Sequence, residues 1–185
     1  MKTKIANPAP LGLMGFAMTT ILLNIHNIGF FPLSSVILAM GICYGGLAQI
    51  VAGIMSFKKG NTFAATAFTS YGFFWLSLVA VWMLPATGIE AAAKTPPAFL
   101  AWYLALWGIF TGFMWVGTWG NSKVQQFVFL SLTILFFMLA AALWAESAML
   151  HHFAGVVGVI CGSSAFYLAM AEILEEVKGK RVLPY

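Results

Sequence analysis

The fold of this chain is decided by residues 5–57, which read IANPAPLGLMGFAMTTILLNIHNIGFFPLSSVILAMGICYGGLAQIVAGIMSF. These 53 residues contain no Asp, Glu, Lys or Arg. A helix that crosses the hydrocarbon core of a bilayer needs about 20 apolar residues. The stretch is therefore long enough for two membrane spans joined by a short loop.

Four further charge-free stretches follow, at residues 60–89, 95–122, 124–145 and 147–171, and each is long enough for one span. Only 8% of the 185 residues are charged, against about 25% in soluble proteins, and the mean hydropathy is +0.94. We predict an all-α membrane protein with six transmembrane helices around a central path, folded as a single domain over residues 1–185. The predicted spans are 8–28, 35–56, 62–84, 98–118, 124–145 and 152–174.

The basic residues predict the orientation of these spans. With six spans, eight of the nine Lys and Arg residues fall on one side of the membrane and only Lys94 falls on the other. Loops rich in Lys and Arg stay in the cytoplasm. We therefore expect both termini in the cytoplasm, as tails over residues 1–7 and 175–185. The eight residues are Lys2, Lys4, Lys58, Lys59, Lys123, Lys178, Lys180 and Arg181.

Several functional classes are excluded by the same composition. The net charge of +4 lies in loops and tails, so a nucleic-acid partner is not expected. No motif for nucleotides, metals or nucleophilic catalysis occurs in the loops, so neither an enzyme nor a cofactor is predicted. His151 and His152 are adjacent, which does not suit a metal site on a helix, and we expect them in the loop before span six. Glu172 is expected at the inner end of span six, reaching water.

Neutral polar residues inside the spans are the candidate substrate path. Phe16, Thr20 and Asn24 are spaced at i, i+4 and i+8, which places them on one face of span one. Gln49 in span two and Ser70 in span three add hydrogen-bonding groups. The alternative is that these side chains only bond to a neighbouring helix or to their own backbone. No Lys or Arg is expected to face the path, so neutral groups must serve any solute.

The sequence Asn7-Pro8-Ala9-Pro10 predicts the start of the first helix. Asn is a favoured N-cap, and proline is tolerated in the first turn because the backbone N–H groups there lack partners. The motif is explained by helix initiation alone. The alternative is that the positive end of this helix attracts an anion at a pore mouth.

Glycine spacing indicates close helix packing, within one chain or between protomers. Three small-residue motifs of the form GxxxG occur, and such motifs let helix backbones approach closely. They are Gly41/Gly45, Gly108/Gly112 and Gly158/Gly162. A weak similarity between residues 93 positions apart, such as Ser70 with Ser163, is compatible with two inverted three-helix repeats, a plan common in transporters.

The motifs along the chain strongly resemble those of the acetate uptake transporter family, whose members include bacterial succinate–acetate permeases and fungal acetate and ammonia-export relatives. The resemblance starts at Asn7-Pro8-Ala9-Pro10-Leu11-Gly12-Leu13 and covers nearly the whole chain, except the loop from Ala86 to Pro97. It continues at residues 15–20, 24–27, 44–49, 59–63, 68–72, 126–128, 131–133, 152–155 and 160–162.

This resemblance implies a solute and a set of site residues. Family members are six-helix protomers assembled as hexamers, and each protomer has its own path. The path narrows at an apolar constriction, which the motifs place at Phe16, Tyr71 and Leu132. The family also associates the position of Ala165 in span six with substrate choice.

Our principal hypothesis is a channel or permease in a bacterial inner membrane for acetate and, as a further solute, succinate, with or without proton coupling. The alternative is a channel for a small neutral solute such as urea, a short amide or ammonia, because an uncharged path suits either. A membrane scaffold or sensor without transport is the third reading. The resemblance separates the first two, which the residues alone leave equal.

Overall fold

The computed structural model describes residues 5–185, and within them the chain is helical without a β-strand. Six helices are long and apolar enough to cross a membrane, as predicted. The loop between the third and fourth contains two short 3₁₀ turns, Leu84–Thr87 and Glu90–Ala92. The six are α1 (Ala9–Asn27), α2 (Ser35–Lys58), α3 (Thr62–Met83), α4 (Pro97–Val116), α5 (Lys123–Trp144) and α6 (Ala148–Lys178).

Helix α6 is longer than predicted at both ends. Ser147 is its N-cap, and its hydroxyl oxygen accepts a hydrogen bond from the backbone N–H of Leu150 at 3.3 Å. His151 and His152 therefore lie in the first turns of α6, and the expectation that they are loop residues is wrong. At the other end the helix runs to Lys178, so the expected tail over residues 175–185 begins with a helical turn.

Helix α2 contains a π-helical segment, Gly41–Ala48, which the sequence did not predict. Such segments are rare and frequently mark functional sites. Its backbone is packed closely by glycines of both neighbouring helices. A Cβ atom on Gly15 would lie 2.6 Å from the Tyr44 carbonyl oxygen, and one on Gly72 would lie 2.8 Å from that of Gly46. Larger residues at these positions would push α1 and α3 away from α2.

The helices form a ring. Backbones are close between α1 and α2, α2 and α3, α4 and α5, α5 and α6, and α6 and α1. Between α3 and α4 the gap is filled by long side chains instead, such as Phe74 and Tyr103, whose rings stack at 5.8 Å. If α1–α3 and α4–α6 are inverted repeats, the α3–α4 contact corresponds to the α6–α1 contact, where the backbones are close. The inverted repeat remains a prediction, with this difference between its halves.

The three GxxxG motifs are used inside the chain. Gly158 faces the Asn24 side chain across the α1–α6 contact, Gly41 faces Val79 of α3, and Gly108 faces Phe137 of α5. Close packing is therefore confirmed. Gly158, Gly41 and Gly108 thus pack helices of one protomer against each other, and a contact between protomers remains a prediction.

Candidate functional site

A cavity of about 1030 Å³ enters the ring from one end. That end holds the start of α1, the 117–122 loop and the last turns of α6, and it carries six of the seven Lys and Arg residues in the part of the chain that the structure describes. We call it the basic face. The inner part of the cavity is apolar, with Leu13, Phe16, Phe63, Ala67, Phe68, Tyr71, Val128, Phe129, Leu132 and Leu168 along its walls.

The three predicted constriction residues meet in this cavity. Phe16, Tyr71 and Leu132 come from α1, α3 and α5, and they are 7%, 4% and 3% exposed. The ring centroids of Phe16 and Tyr71 lie 6.2 Å apart. The structure thus brings these side chains together, although their role as a gate for a solute remains a prediction.

The Tyr71 hydroxyl is held by the neighbouring helix. It donates a hydrogen bond to the Thr111 hydroxyl oxygen of α4 at 3.0 Å, and Thr111 in turn donates to the carbonyl oxygen of Trp107 at 2.7 Å. The phenol is therefore satisfied by the protein. What Tyr71 presents to the cavity is its ring, which makes this part of the wall apolar.

Gln49 is the polar residue that the inner cavity leaves free. Its side chain is 1% exposed, lines the cavity, and makes no hydrogen bond with either amide atom. Gly15 of α1 leaves room beside it, since a Cβ atom there would lie 3.4 Å from Gln49 Cγ. An unpaired buried amide is costly. Its nitrogen can donate to a carboxylate, and its oxygen can accept from a protonated acid or an amide.

Asn24 belongs to a chain of hydrogen bonds along α1 and does not line the cavity. Its nitrogen donates to the Thr20 carbonyl oxygen at 2.8 Å, and its oxygen accepts from Asn27 at 3.0 Å. The Asn27 oxygen lies 3.2 Å from His151 Nε2. Because an amide oxygen can only accept, this hydrogen bond forms with the His151 tautomer that carries a proton on Nε2. The alternative weighed for Asn24, bonding to its surroundings, describes this structure.

Thr20, Ser70 and Ala165 also lie outside the lining of the cavity. The Thr20 hydroxyl is buried without a partner, one turn beyond Phe16. Ala165 is fully buried in α6. Ser70 lines a separate shallow pocket with Leu106 and Trp107 of α4. Ser70 was expected to line the path, but its side chain faces the α3–α4 gap instead.

The family signature motif, Asn7-Pro8-Ala9-Pro10, begins α1 one residue later than predicted. Pro8 is the N-cap, Pro10 lies in the first turn, and the Asn7 side-chain oxygen accepts from the Ala9 N–H at 3.3 Å. The Asn7 nitrogen donates to the Glu172 carboxylate at 2.9 Å. The Asn7 amide is therefore already hydrogen-bonded to a carboxylate of the protein itself. The sequence had suggested that this helix start attracts an external anion.

The mouth of the cavity is lined by charged side chains, of which only Glu172 was expected near it from the sequence. Glu172, Glu175 and Glu176 of α6 line it, and so does Arg181 from the segment after α6. The expectation that no Lys or Arg faces the path is therefore wrong at the mouth, because the last residues fold back over it. Glu172 was expected here from its position at the end of span six. Nothing in the sequence of the last seven residues predicts that this segment folds back over the mouth.

No metal site is formed in the described part of the chain, where no three His, Cys, Asp or Glu side chains cluster suitably. The cavity offers neutral hydrogen-bonding groups, an apolar inner wall and a charged mouth. This arrangement suits passage of a small solute, because a narrow apolar section limits size while the mouth remains hydrated.

Proteins similar to this chain in sequence and fold include transporters and a channel. The chain is 60% identical to the succinate-acetate/proton symporter SatP of Escherichia coli K12 over 182 residues, which are 98% of this chain and 96% of that protein. It is 37% identical to ammonia transport outward protein 2 of Saccharomyces cerevisiae over 92% of this chain and 62% of the yeast protein. The solved structure of the bacterial acetate channel SatP superposes with a TM-score of 0.96 at 59% identity, covering 98% of this chain and 99% of that one.

The family resemblance inferred from the motifs is confirmed. The model of the GPR1/FUN34/yaaH family matches residues 1–183, which include the signature at the start of α1 and all six helices. The chain therefore belongs to the GPR1/FUN34/yaaH family.

Proposed function

We propose that this protein is a membrane channel or proton-linked permease for acetate and other short carboxylates, succinate among them, and not an enzyme. One observation carries the proposal: Phe16, Tyr71 and Leu132 converge in the inner part of a cavity that opens at one face of the bundle. The names of the bacterial relatives, a succinate-acetate/proton symporter and an acetate channel, support the choice of solute.

The proposed gate selects by size and by the cost of dehydration. A carboxylate that enters an apolar ring loses water, and burying an unpaired charge is expensive. Gln49 offsets part of this cost, since its free amide can bond to either protonation state of the solute. With no cation at the ring, the solute is bound weakly and released easily, as transport requires.

The outer half of the proposed path continues along α1. Thr20 and Asn24 lie one and two turns beyond Phe16, and the unpartnered Thr20 hydroxyl is available to a solute. Ala165 is proposed to set the width of the path because its small side chain is fully buried in α6. Reaching this half requires the Asn24 side chain to exchange its present partners.

The experiment is uptake of labelled acetate into liposomes that contain the purified protein. We expect uptake that exceeds that of protein-free liposomes and that an excess of unlabelled acetate reduces. Uptake equal to that of protein-free liposomes would overturn the proposal and leave the scaffold or sensor role.

A channel for a neutral solute is the second candidate, and the Gln49 amide favours it equally. The yeast relative is named for ammonia transport, and urea or a short amide would fit the same uncharged ring. Swelling of the same liposomes in urea and in acetate, each at two pH values, separates the two. Swelling in urea but not in acetate would show that the protein passes a neutral solute and would overturn the assignment of acetate.

The basic face is proposed to be cytoplasmic, in the inner membrane of a bacterium, with both termini on that side. Lys58, Lys59, Lys123, Lys178 and Lys180 lie there against Lys94 on the other face, which satisfies the positive-inside rule. Residues 1–185 form one transmembrane domain in this proposal; Lys2, Lys4 and most of the predicted tail over residues 1–7 lie outside the described residues. A thiol reagent that cannot cross membranes should label Lys94→Cys, and not Lys123→Cys, in intact cells.

A homo-hexamer in the lipid bilayer is proposed from the family resemblance. The least buried of the six helices is α4, and its exposed residues include Phe99, Trp102 and Phe113. Such a surface can face lipid or a second protomer. Native mass spectrometry in detergent would give the number of protomers.

A further inference from the structure

The seven residues after α6 fold back along that helix. Gly179 adopts a left-handed conformation, with φ of 66°, which reverses the chain and which glycine adopts without strain. The Pro184 carbonyl oxygen then accepts a hydrogen bond from the Tyr167 hydroxyl at 2.7 Å. Since Tyr167 lies more than three helical turns before the end of α6, the segment returns toward the middle of the helix.

Glu175 is the point where this segment is held. Its Oε2 atom accepts a hydrogen bond from the Tyr185 hydroxyl at 2.7 Å and lies 3.5 Å from Arg181 Nε. The Arg181 guanidinium carbon lies 4.6 Å from the centre of the Tyr185 ring. The hydrogen bond to Glu175 raises the pKa of Tyr185, so the phenol keeps its proton and remains a donor.

The held residues stand at the opening of the solute cavity. Arg181 and Tyr185 both line the cavity, and Tyr185 also packs against the apolar core. Glu172 and Glu176 line the same opening from α6. The segment therefore places an aromatic ring and a guanidinium group in the mouth of the cavity.

We propose that residues 179–185 form a latch that narrows the basic-face mouth while Arg181 and Tyr185 hold Glu175, and that widens the mouth when these contacts break. The contacts are few and partly exposed: the side chains of Arg181 and Glu175 are 58% and 37% accessible to solvent. Exposed ion pairs stabilise weakly, so the closed and open latch are close enough in free energy to exchange. The latch rests on the proposed function, because it limits the rate of passage of the same solute.

The first test measures acetate uptake by liposomes containing the wild type, Arg181→Gln, Tyr185→Phe or a chain that ends after Lys180. Loss of a hydrogen bond to a charged group shifts an equilibrium by about tenfold or more, and partial exposure reduces this. We expect uptake to rise by about three- to tenfold. Lys180→Gln is the matched control, because it makes the same change of charge one residue away and removes no latch contact.

A second measurement does not depend on acetate. Ala67 lines the inner cavity, so Ala67→Cys reports access from the mouth; Cys43, which is exposed, is replaced by Ser, and Cys161 is buried. Ending the chain after Lys180 should speed reaction of Ala67→Cys with a water-soluble maleimide severalfold. Equal reaction rates with and without the segment would overturn the latch. If wild-type uptake is absent, the proposed function fails, while the labelling rates still decide the latch.

Discussion

Replacing Leu132 by Ala should widen the proposed gate and shift its selectivity toward larger monocarboxylates. Leu132 is 3% exposed and lines the cavity beside Phe16 and Tyr71. The substitution removes three side-chain carbon atoms from the wall of the constriction. The volume by which lactate exceeds acetate is similar to the volume removed, so the constriction would no longer exclude lactate sterically.

The magnitude follows from the usual worth of a methylene-sized contact in an apolar site. Such a contact discriminates by about 1–3 kcal/mol, or roughly 10- to 200-fold. We expect the ratio of lactate to acetate uptake to rise by at least about tenfold. Stability should fall by about 2–3 kcal/mol, near the lower end for Leu→Ala, because the site already borders open space.

The assay is uptake of labelled lactate and acetate into the same proteoliposomes. Leu135→Ala is the matched control: Leu135 lies on α5, is 4% exposed, and does not line the cavity. It should lower stability without changing the ratio. An unchanged ratio in folded Leu132→Ala, or an equal change in both variants, would refute the assignment of the gate.

Three further substitutions, one of them with a matched control, test other parts of the structure. Gln49→Leu removes an unpaired buried amide, so thermal stability in detergent should hold or rise while acetate uptake falls by about tenfold or more; retained uptake would mean that Gln49 does not meet the solute. Gly158→Ala places a methyl group where the Asn24 side chain lies and should lower the free energy of unfolding, measured with denaturant, by at least about 1–3 kcal/mol. Gly112→Ala is the control and should be tolerated, because its Cβ atom would meet Thr133 Cγ2 at 3.7 Å. Equal losses of stability in the two variants would contradict the packing at the α1–α6 contact. Tyr71→Phe removes the bond to Thr111 and should cost about 1 kcal/mol with little change in the lactate-to-acetate ratio, because the ring remains; a large change in that ratio would show that the hydroxyl faces the solute.

The six helices were predictable because hydropathy and charge act over about 20 residues at a time. The ends were less so: Ser147 caps α6 and extends it over His151 and His152. The π-helical segment at Gly41–Ala48 has the composition of an ordinary packed helix. Gly15 and Gly72 approach its backbone closely, and no local sequence pattern reveals such tertiary contacts.

The candidate site was predictable where the family motifs placed it and uncertain where only helix faces were used. Phe16, Tyr71 and Leu132 meet as the resemblance implied. The spacing of Thr20 and Asn24 with Phe16 gave one shared face, but it could not show that Asn24 bonds to Asn27 and Thr20. Arg181 reaches the mouth through a chain reversal at Gly179, and contacts made by such a turn depend on tertiary structure.

The most direct test of the account is whether blocking the cavity blocks acetate. Ala67→Cys, in a chain with Cys43 replaced by Ser, is modified with a bulky maleimide, and labelled acetate uptake is measured before and after. We predict that complete modification abolishes uptake, while the same treatment of the wild type at Cys43, which is exposed and outside the cavity, leaves uptake unchanged. Full uptake after complete modification of Ala67→Cys would show that acetate takes another route.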